Sequence, residues 1–529
     1  MHFGFSYIGL IWLIMLFVPN LIWTKHKPKD YDKYVGNENR VLLALERAGQ
    51  VIVTATALMF SDFNFKGWDF WCAVLILSFL CMALYEAFWV RYFKSGQTMA
   101  DFYSSLCGIP VAGATLPVVA IFLLGLYGGN GLMLLGSLVL GVGHIGIHLA
   151  HRKEVCGRRE KQRGPRRVVA GILQAAAALV LLTAVGFFSV AIVGRNVNQL
   201  ERAFAYRDGI NEAEWVTLNG QEQYILTLGH DAANPVVISL HGGPGAPTTV
   251  SDWCWIDHLT DAYTVISWDQ RGCGRTYYRN AKTDPENSTL SFEQAEADLD
   301  ALVDYACRRF GQDRVIIMGH SYGSLLGSQY ALEHPEKVSH YIGIGQEVKE
   351  AGLYAYTYAY EDALAKARAA GDDTAEMEQA YAALVQEPTV VNMSALDKLT
   401  SRYHPLGVTE DASAAALVFS PYLGVDDARW YLLILSAMTG SASYEELERP
   451  LIDCLLDFDA YKRSTDFQMP VLFISGSEDW SCPVGLTEDY FEAITAPEKE
   501  IYLVEGCGHS PQGQRPEEFA RAVKDFLKE

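Results

Sequence analysis

The sequence has little positive charge, and what it has is unevenly placed. Its 529 residues include 42 lysines and arginines against 63 aspartates and glutamates, for a net charge of −21 with neutral histidine. Residues 196–529 hold 24 basic and 53 acidic residues, net −29, whereas residues 1–195 have a net charge of +8. Nucleic acids are bound through clustered lysine and arginine, so this acidity argues against a nucleic-acid partner.

The first apolar run, residues 5–23, lacks a preceding basic segment and a small-residue cleavage site. Both features are expected of a cleaved signal peptide, so the run is predicted to be retained as a membrane span. Five further runs approach or exceed the length of about 20 residues that crosses a bilayer. They are residues 41–60, 71–90, 106–127, 132–150 and 168–193. The sequence therefore predicts a multi-pass α-helical membrane domain of about six spans.

Lysine and arginine are absent from the fourth loop between these runs and almost absent from the second, which has only Lys66. The first, third and fifth loops carry five, two and eight of them. Basic loops stay in the cytoplasm. The pattern predicts a multi-pass protein of the cell membrane whose acidic residues 196–529 face the extracytoplasmic side.

Three histidines in the fifth run, His144, His148 and His151, have the spacing i, i+4 and i+7 and share one helical face. Two interpretations stay open for them: metal or haem ligation, and hydrogen bonds between helices. The sequence predicts no metal site and no cofactor.

Residues 315–323, VIIMGHSYG, combine a short β-branched run with the pattern G-x-S-x-G, and a helix-like run follows to residue 334. Strand, sharp turn and helix in this order are typical of a nucleophile elbow. The elbow would present Ser321 at the N-terminus of a helix, where the helix dipole favours developing negative charge. Ser321 is therefore the candidate nucleophile.

Strand-like and helix-like segments alternate around the elbow, which predicts a parallel α/β sheet preceded by a hairpin. The predicted strands are 214–218, 223–228, 235–240, 263–268, 315–318, 338–344, 470–475 and 500–504. Residues 346–465 break the alternation with helical periodicity and are predicted to form a helical cap. The predicted domains are a membrane domain (1–195), a linker (196–213), a first core part (214–345), the cap (346–465) and a second core part (466–529).

Three motifs carry a family resemblance: HGGPG at 241–245, DQRGCGRT at 269–276 and GHSYGS at 319–324. With the capped sheet, residues 212–529 resemble the α/β-hydrolase superfamily and, within it, the proline iminopeptidase (prolyl aminopeptidase) group of serine peptidases. The resemblance implies an α/β-hydrolase fold with the cap inserted after the sixth sheet strand. Tyr322 stands where this group is expected to have tryptophan, and His320 replaces a common small residue.

In this fold the catalytic groups follow the order serine, acid, histidine along the chain. Asp479 follows the first strand after the cap and matches the family's acid, and His509 follows the last strand as the general base. The oxyanion hole is expected from the backbone N–H groups of Tyr322 and Gly243.

Substrate selection is expected in the cap, where carboxylates of proline iminopeptidases hold the free amino terminus. Glu350 matches the first of these acids, with Glu347 as the near alternative; an ordinary solvated helix N-terminus is equally compatible. Asp269 and Arg271 are predicted to form a loop-fixing ion pair. The fold also brings together the loops of Cys482 and Cys507, and an extracytoplasmic location would permit a disulfide there.

The predicted function is a membrane-anchored serine hydrolase acting through an acyl-enzyme, foremost an aminopeptidase of proline iminopeptidase type on short peptides. Two alternatives stay open: an esterase or amidase acting on amphiphilic acyl substrates, and a non-catalytic binding or sensor module. The expected partners are a peptide or acyl small molecule and the lipid bilayer.

Overall fold

The computed structural model describes residues 1–34, 39–68, 71–156, 165–349, 352–387, 390–404, 412–437 and 443–528. The chain divides into two compact units, an N-terminal unit, Met1–Asn198, and a C-terminal unit, Gln199–Glu529. Each unit has its own hydrophobic core.

The N-terminal unit is built of helices. They are α1 (Tyr7–Lys25), α2 (Arg40–Met59), α3 (Cys72–Phe93), α4 (Met99–Phe102), α5 (Ala112–Gly128), α6 (Gly131–Cys156) and α7 (Pro165–Ala205), which continues into the C-terminal unit. Among the described residues, four helices are long and apolar enough to cross a membrane: α1, α2, α3 and α6. The side chains of residues 165–182 lie outside the described part, so the count of six spans stays a prediction.

The fourth predicted span is shorter than expected. Its helix, α5, is apolar but has 17 residues and begins at Ala112 rather than at residue 106. Residues 106–111 form a turn instead, with Leu106 bridged to Ile109 and Val111 in the left-handed region. A bulky residue with positive φ interrupts helical backbone, which explains the late start.

His144 on α6 pairs with Glu46 on α2, with 2.6 Å between His144 Nδ1 and Glu46 Oε1. The His148 ring lies on the next turn, its centroid 4.6 Å from that of His144. Within the described ranges no group of three or more histidine, cysteine or acidic side chains could hold a metal ion. The contact of His144 with Glu46 joins α6 to α2, as the interpretation of hydrogen bonds between helices expects.

The C-terminal unit contains an eight-stranded sheet. Its strands are β1 (Ile210–Leu218), β2 (Gln221–Gly229), β3 (Val236–Leu240), β4 (Thr264–Asp269), β5 (Val315–His320), β6 (Val338–Ile344), β7 (Val471–Gly476) and β8 (Lys499–Val504). The spatial order is β1-β2-β4-β3-β5-β6-β7-β8. The hairpin β1–β2 and the pair β2–β4 are antiparallel, and all other pairs are parallel. The predicted mostly parallel sheet is confirmed.

Side chains of the central strands alternate between two cores because successive residues of a strand point to opposite faces. On β5, Ile317 belongs to the core that contains Leu299 and Leu325, whereas its neighbour Ile316 belongs to the core that contains Phe519. Both faces of the sheet are thus covered by helices, which explains the continuous apolar runs in the sequence.

The helices of the C-terminal unit fall into two groups. Those outside the segment between β6 and β7 are α8 (Trp253–Ile256), α9 (Gly274–Asn280), α10 (Phe292–Phe310), α11 (Tyr322–Glu333) and α18 (Val484–Ala493), with α19 (Pro511–Gln514) and α20 (Pro516–Phe526) after the last strand. Those between β6 and β7 are α12 (Gly352–Ala370), α13 (Ala375–Gln386), α14 (Val390–Thr400), α15 (Ala412–Val418), α16 (Val425–Ala437) and α17 (Ser443–Asp457). The second group falls within the residues predicted as the cap, and α12 to α14 share a small core of their own around Ala363 and Leu384.

Candidate active site

Ser321 occupies a strained turn between β5 and α11. Its φ and ψ are 53° and −125°, a sparsely populated conformation for a residue with a side chain. Crowding makes glycine necessary on both sides: a Cβ on Gly319 would lie 2.1 Å from the Gly323 carbonyl oxygen, and one on Gly323 would lie 2.4 Å from the Leu240 carbonyl oxygen. The Ser321 N–H donates to Ile344 at 3.0 Å, which fixes the turn to β6.

His509 and Asp479 are hydrogen-bonded, with 2.8 Å between His509 Nδ1 and Asp479 Oδ2. Asp479 is fully buried, and its other oxygen accepts from the backbone N–H groups of Ser481 and Cys482 at 2.8 and 2.9 Å. Gly345 follows Ile344, whose carbonyl oxygen accepts from the Ser321 N–H. Gly345 lies against the side chains of Asp479 and His509. The backbone of β6 therefore places the histidine and acid loops beside the elbow.

The electrostatics of this pair suit a general base. Burial alone would lower the pKa of His509, but the adjacent Asp479 carboxylate outweighs it and raises the pKa above the ordinary histidine value. The Asp479 contact also fixes the ring, because it engages Nδ1 and leaves Nε2 for other partners.

The two residues predicted to form the oxyanion hole flank the same turn. Tyr322 is the first residue of α11, so its N–H has no partner within that helix. Gly243 has a φ of 120°, which a residue with a side chain rarely adopts. Its neighbour Gly242 is so close that an added Cβ would lie 3.0 Å from Ser321 Cβ. The HGGPG loop thus lies directly against the elbow.

Two helices from the segment predicted as the cap, α16 and α17, hold this loop by its carbonyl groups. Trp430 on α16 donates from Nε1 to the Gly245 oxygen at 2.8 Å. Tyr444 on α17 donates from its hydroxyl to the Pro244 oxygen. The position of the loop therefore depends on α16 and α17 as well as on the sheet.

Other contacts of the helices between β6 and β7 reach α9 and the loop that carries Asp479. On α16, Asp427 pairs with Arg275 of α9 at 2.5 Å, and both side chains are largely buried. On α12, Lys366 pairs with Glu478, and Asp362 accepts from Trp480 Nε1 at 2.8 Å. Glu478 and Trp480 flank Asp479 in the sequence, so α12 fixes the segment that carries the buried acid.

Of the two acids predicted to bind substrate, Glu350 lies outside the described residues. Glu347 is half-buried and lies at the site: its Oε2 accepts from the Cys482 thiol at 3.4 Å, and its charge helps to raise the pKa of His509. The Cys482 thiol is not part of a disulfide.

Glu448 on α17 is a buried carboxyl group that the sequence analysis did not identify. It is fully buried, and neither carboxyl oxygen has a hydrogen-bond partner in the part of the chain that the structure describes. It lies against the HGGPG loop, since a Cβ on Gly245 would be 2.5 Å from Glu448 Cδ. Burial raises the pKa of Glu448 well above the ordinary carboxyl value. A buried, unpaired carboxyl group beside this loop is a candidate ligand-binding group.

The predicted ion pair between Asp269 and Arg271 is wrong. Arg271 instead forms a two-pronged pair with the buried Asp298 of α10, at 2.6 Å from Nε to Oδ2. Asp269 accepts from the Thr249 hydroxyl at 2.7 Å and from the Arg275 N–H at 3.3 Å. The two side chains contact different neighbours, and each set of contacts still holds the DQRGCGRT loop in place.

Comparison with known proteins identifies the family of the chain. Residues 235–516 match the model of the alpha/beta hydrolase fold family. A probable aminopeptidase of Bacillus subtilis, YbaC, is 23% identical over 310 residues, covering 58% of this chain and 93% of the relative. The proline iminopeptidase PfmaB of Pestalotiopsis fici is 27% identical over 322 residues, covering 59% and 99%. Epoxide hydrolase A of Mycobacterium tuberculosis is 25% identical over 341 residues, covering 59% and 96%. The chain therefore belongs to the α/β-hydrolase family of hydrolase enzymes, and its C-terminal unit resembles the proline iminopeptidases.

Proposed function

We propose that this protein is a membrane-anchored serine hydrolase with a triad of Ser321, His509 and Asp479, and that it is an aminopeptidase on short peptides. The observation that carries the proposal is the 2.8 Å contact between His509 Nδ1 and the buried Asp479, on loops fixed beside the strained Ser321 elbow. The relatives named as an aminopeptidase and a proline iminopeptidase support the choice of substrate class.

In the first half of the reaction, Ser321 Oγ attacks the carbonyl carbon of the substrate while His509 takes the hydroxyl proton. Asp479 stabilises the imidazolium that forms. The developing oxyanion accepts hydrogen bonds from the Tyr322 and Gly243 N–H groups. His509 then gives its proton to the leaving amine, the C–N bond breaks, and an acyl-enzyme remains on Ser321.

In the second half, His509 removes a proton from water, and the hydroxide attacks the acyl carbon. The ester bond to Ser321 breaks and the serine regains the proton from His509. The products are the released amino acid and the shortened peptide, and the enzyme returns to its starting state.

Selection of a free amino terminus would require acids near the acyl site. Glu347 is half-buried and lies beside His509, and Glu448 is buried with no partner for either oxygen among the described residues. A substrate ammonium would supply the hydrogen bonds that the Glu448 carboxyl lacks and would stabilise its ionised form. We assign Glu448 and Glu347 to amine recognition, with Glu350 retained as a sequence-based candidate.

The membrane arrangement is part of the proposal. Four helices of the N-terminal unit are long and apolar enough to cross a membrane, and the lysine and arginine pattern favours six spans with the C-terminal unit outside the cytoplasm. The domain boundaries predicted above complete this arrangement, with residues 346–465 as the cap over the site.

A substrate panel tests the function. Purified full-length protein is assayed on proline, alanine and phenylalanine aminoacyl amides, on their N-acetylated forms, and on short acyl esters. We expect free aminoacyl amides to be hydrolysed with at least tenfold higher kcat/KM than their N-acetylated forms. Ser321→Ala and His509→Ala should lower kcat by several orders of magnitude.

The panel also separates the alternatives. Faster turnover of acyl esters and N-acetylated amides would indicate the esterase or amidase. Full activity of Ser321→Ala on a good substrate would contradict the triad. If the wild-type protein bound compounds of the panel but hydrolysed none of them, a non-catalytic binding module would be favoured.

A further inference from the structure

The helices of the N-terminal unit enclose a cavity of about 400 Å³. It is lined by residues of α1, α2, α3, α4, α5 and α6 and by the segment that follows α1. Binding sites for small molecules typically measure about 300–1,000 Å³ and are mostly apolar, with a few polar groups that orient the ligand. Helix bundles place such sites between their helices.

The inner end of the cavity is mostly apolar. Val53, Val118, Ile121 and Leu140 line it, and none of them is more than 7% exposed. The polar side chains of the lining include Gln50 and Thr54 of α2, and Asn20 of α1, which donates to the Tyr85 hydroxyl at 2.8 Å. A wall of this kind favours a hydrocarbon chain over a compact polar ligand.

The other end carries hydrogen-bond donors. These donors are Trp23 and His148, and the ring of Phe102 contacts both. Its centroid is 6.3 Å from that of Trp23 and 5.9 Å from that of His148. The indole Nε1 of Trp23 is buried and has no partner among the described residues, and an indole N–H can only donate. His148 contacts the rings of His144, Phe102 and Tyr103 but forms no hydrogen bond within the same residues.

An exposed cation, Lys27, lies beside this end of the cavity, although it is not a lining residue. Lys27 Nζ lies 5.8 Å from the Trp23 centroid and 5.3 Å from that of Tyr31. The nearby acids are already engaged: Glu46 pairs with His144, and Asp30 accepts from the Met99 N–H at 2.7 Å. A cation and two donors without partners complement a ligand group that only accepts hydrogen bonds.

We propose that this cavity binds one amphiphile with a carboxylate head and a medium-length hydrocarbon chain. The carboxylate accepts from Trp23 and His148 near Lys27, and the chain lies against Val118 and Leu140. The site lies within the N-terminal unit, and the proposal is independent of the function assigned to Ser321.

Photolabelling of the full-length protein in detergent tests the site. The probe is dodecanoic acid with a diazirine on its chain, and the labelled peptides are identified by mass spectrometry. Dodecanoic acid, dodecanol and dodecyltrimethylammonium serve as competitors. We expect labels on α5 or α6, with dodecanoic acid competing at a concentration at least tenfold lower than the other two. Equal competition by all three would overturn the proposal, because the cavity would then be a gap filled by any hydrocarbon.

Two neighbouring residues of α5 provide a matched pair of variants. Val118 lines the cavity, whereas Val119 does not and is 39% exposed. Val118→Trp should fill the cavity and lower labelling at least tenfold, whereas Val119→Trp, with the same added bulk, should stay within twofold of wild type. Equal loss in both variants, with size-exclusion profiles unchanged, would contradict the assigned position of the chain.

A second pair of variants tests the head group. His148→Leu removes the donor but keeps bulk, so dodecanoic acid should lose its advantage over dodecanol. His148→Gln keeps a donor and should retain most of the advantage. An unchanged advantage in His148→Leu would contradict the role of His148, whatever the labelling yield.

Discussion

His320 Nε2 lies 2.7 Å from the backbone carbonyl oxygen of His509. The residue before the candidate nucleophile thereby contacts the candidate base directly, and the two rings have centroids 4.8 Å apart. Burial lowers the pKa of His320 to about 4, so the ring is neutral at physiological pH and donates from Nε2. We infer that His320 positions the histidine loop.

His320→Ala should therefore lower kcat with little change in KM. Displacement of a catalytic group by about 1 Å can cost on the order of 100-fold in rate, so we expect a loss of 10- to 100-fold. Steady-state kinetics on the best substrate of the panel provide the measurement. His320→Gln retains a side-chain N–H and should restore part of the rate; equal rates for wild type and His320→Ala would show that the contact does not matter.

The pH profile should report the raised pKa of His509. The base must be neutral, so activity is lost as pH falls through that pKa, and the acid limb of kcat/KM should lie above the ordinary histidine value of about 6.5. The contribution of the charged His509–Asp479 pair to folding stability depends on pH in the opposite direction to activity. It is present below about pH 6.5 and is lost as pH rises through the folded-state pKa of His509.

Glu347 also raises the pKa of His509, so Glu347→Gln should move the acid limb to lower pH. An uncharged ester substrate is used for this comparison, because it removes any effect on amine binding. An acid limb that stays below 6.5 in the wild-type enzyme would contradict the assigned electrostatics.

Glu448→Gln should weaken hydrolysis of substrates with a free amino terminus more than hydrolysis of esters. Loss of one partner of a buried charge pair costs about 2–5 kcal/mol, which corresponds to at least about 30-fold in kcat/KM. Glu445→Gln is the control, since it removes an exposed acid from the same helix. Equal losses on both substrate classes would mean that Glu448 only supports the HGGPG loop.

Asp427→Ala should destabilise the C-terminal unit by about 3–5 kcal/mol, because it leaves the largely buried Arg275 without its partner. The neighbouring Asp426 forms an exposed pair with Arg429, and Asp426→Ala should cost less than about 1 kcal/mol. Urea unfolding followed by tryptophan fluorescence measures both. Similar midpoints for the two variants would show that the ion pair between α9 and α16 contributes little.

The side of the membrane can be tested with a membrane-impermeant fluorophosphonate. The first, third and fifth loops are basic, whereas the second and fourth have almost no basic residues. This pattern predicts that Ser321 faces away from the cytoplasm. The probe should label Ser321 in intact cells, or in spheroplasts where an outer membrane is present, and Ser321→Ala controls for specificity. Labelling only after lysis would place the site in the cytoplasm, and the short helix α5 would be the first span to reconsider.

Much of the sheet could be predicted because its signals are local, and the triad that we propose follows from the order of its members along the chain. β-branched runs mark the buried strands, and the elbow motif determines where the acid and histidine loops must follow. The structure places His509 and Asp479 in contact, as the chain order requires. The helices between β6 and β7 could be located by periodicity, but their contacts with the loops have no sequence signal.

Two errors show where local patterns are insufficient. The partner of Arg271 is Asp298, which is 27 residues away on another element, whereas Asp269 is near in sequence and points elsewhere. Glu448 was missed among several acids of α17, although its spacing to Leu451 and Leu455 places it on the apolar face of that helix. An acid on an apolar stripe is the signal that could have identified it.

Under the proposed function, the contacts of α12, α16 and α17 connect the predicted cap to both the oxyanion hole and the loop of the catalytic acid. α16 and α17 hold the loop that carries Gly243, and α12 holds the segment that carries Asp479. A cap that opened as a rigid lid would break both sets of contacts and disturb the oxyanion hole and the acid at once. Exchange of the cap with that of a relative would consequently change turnover along with substrate preference, and new specificities would be reached more readily by altering side chains within the existing cap.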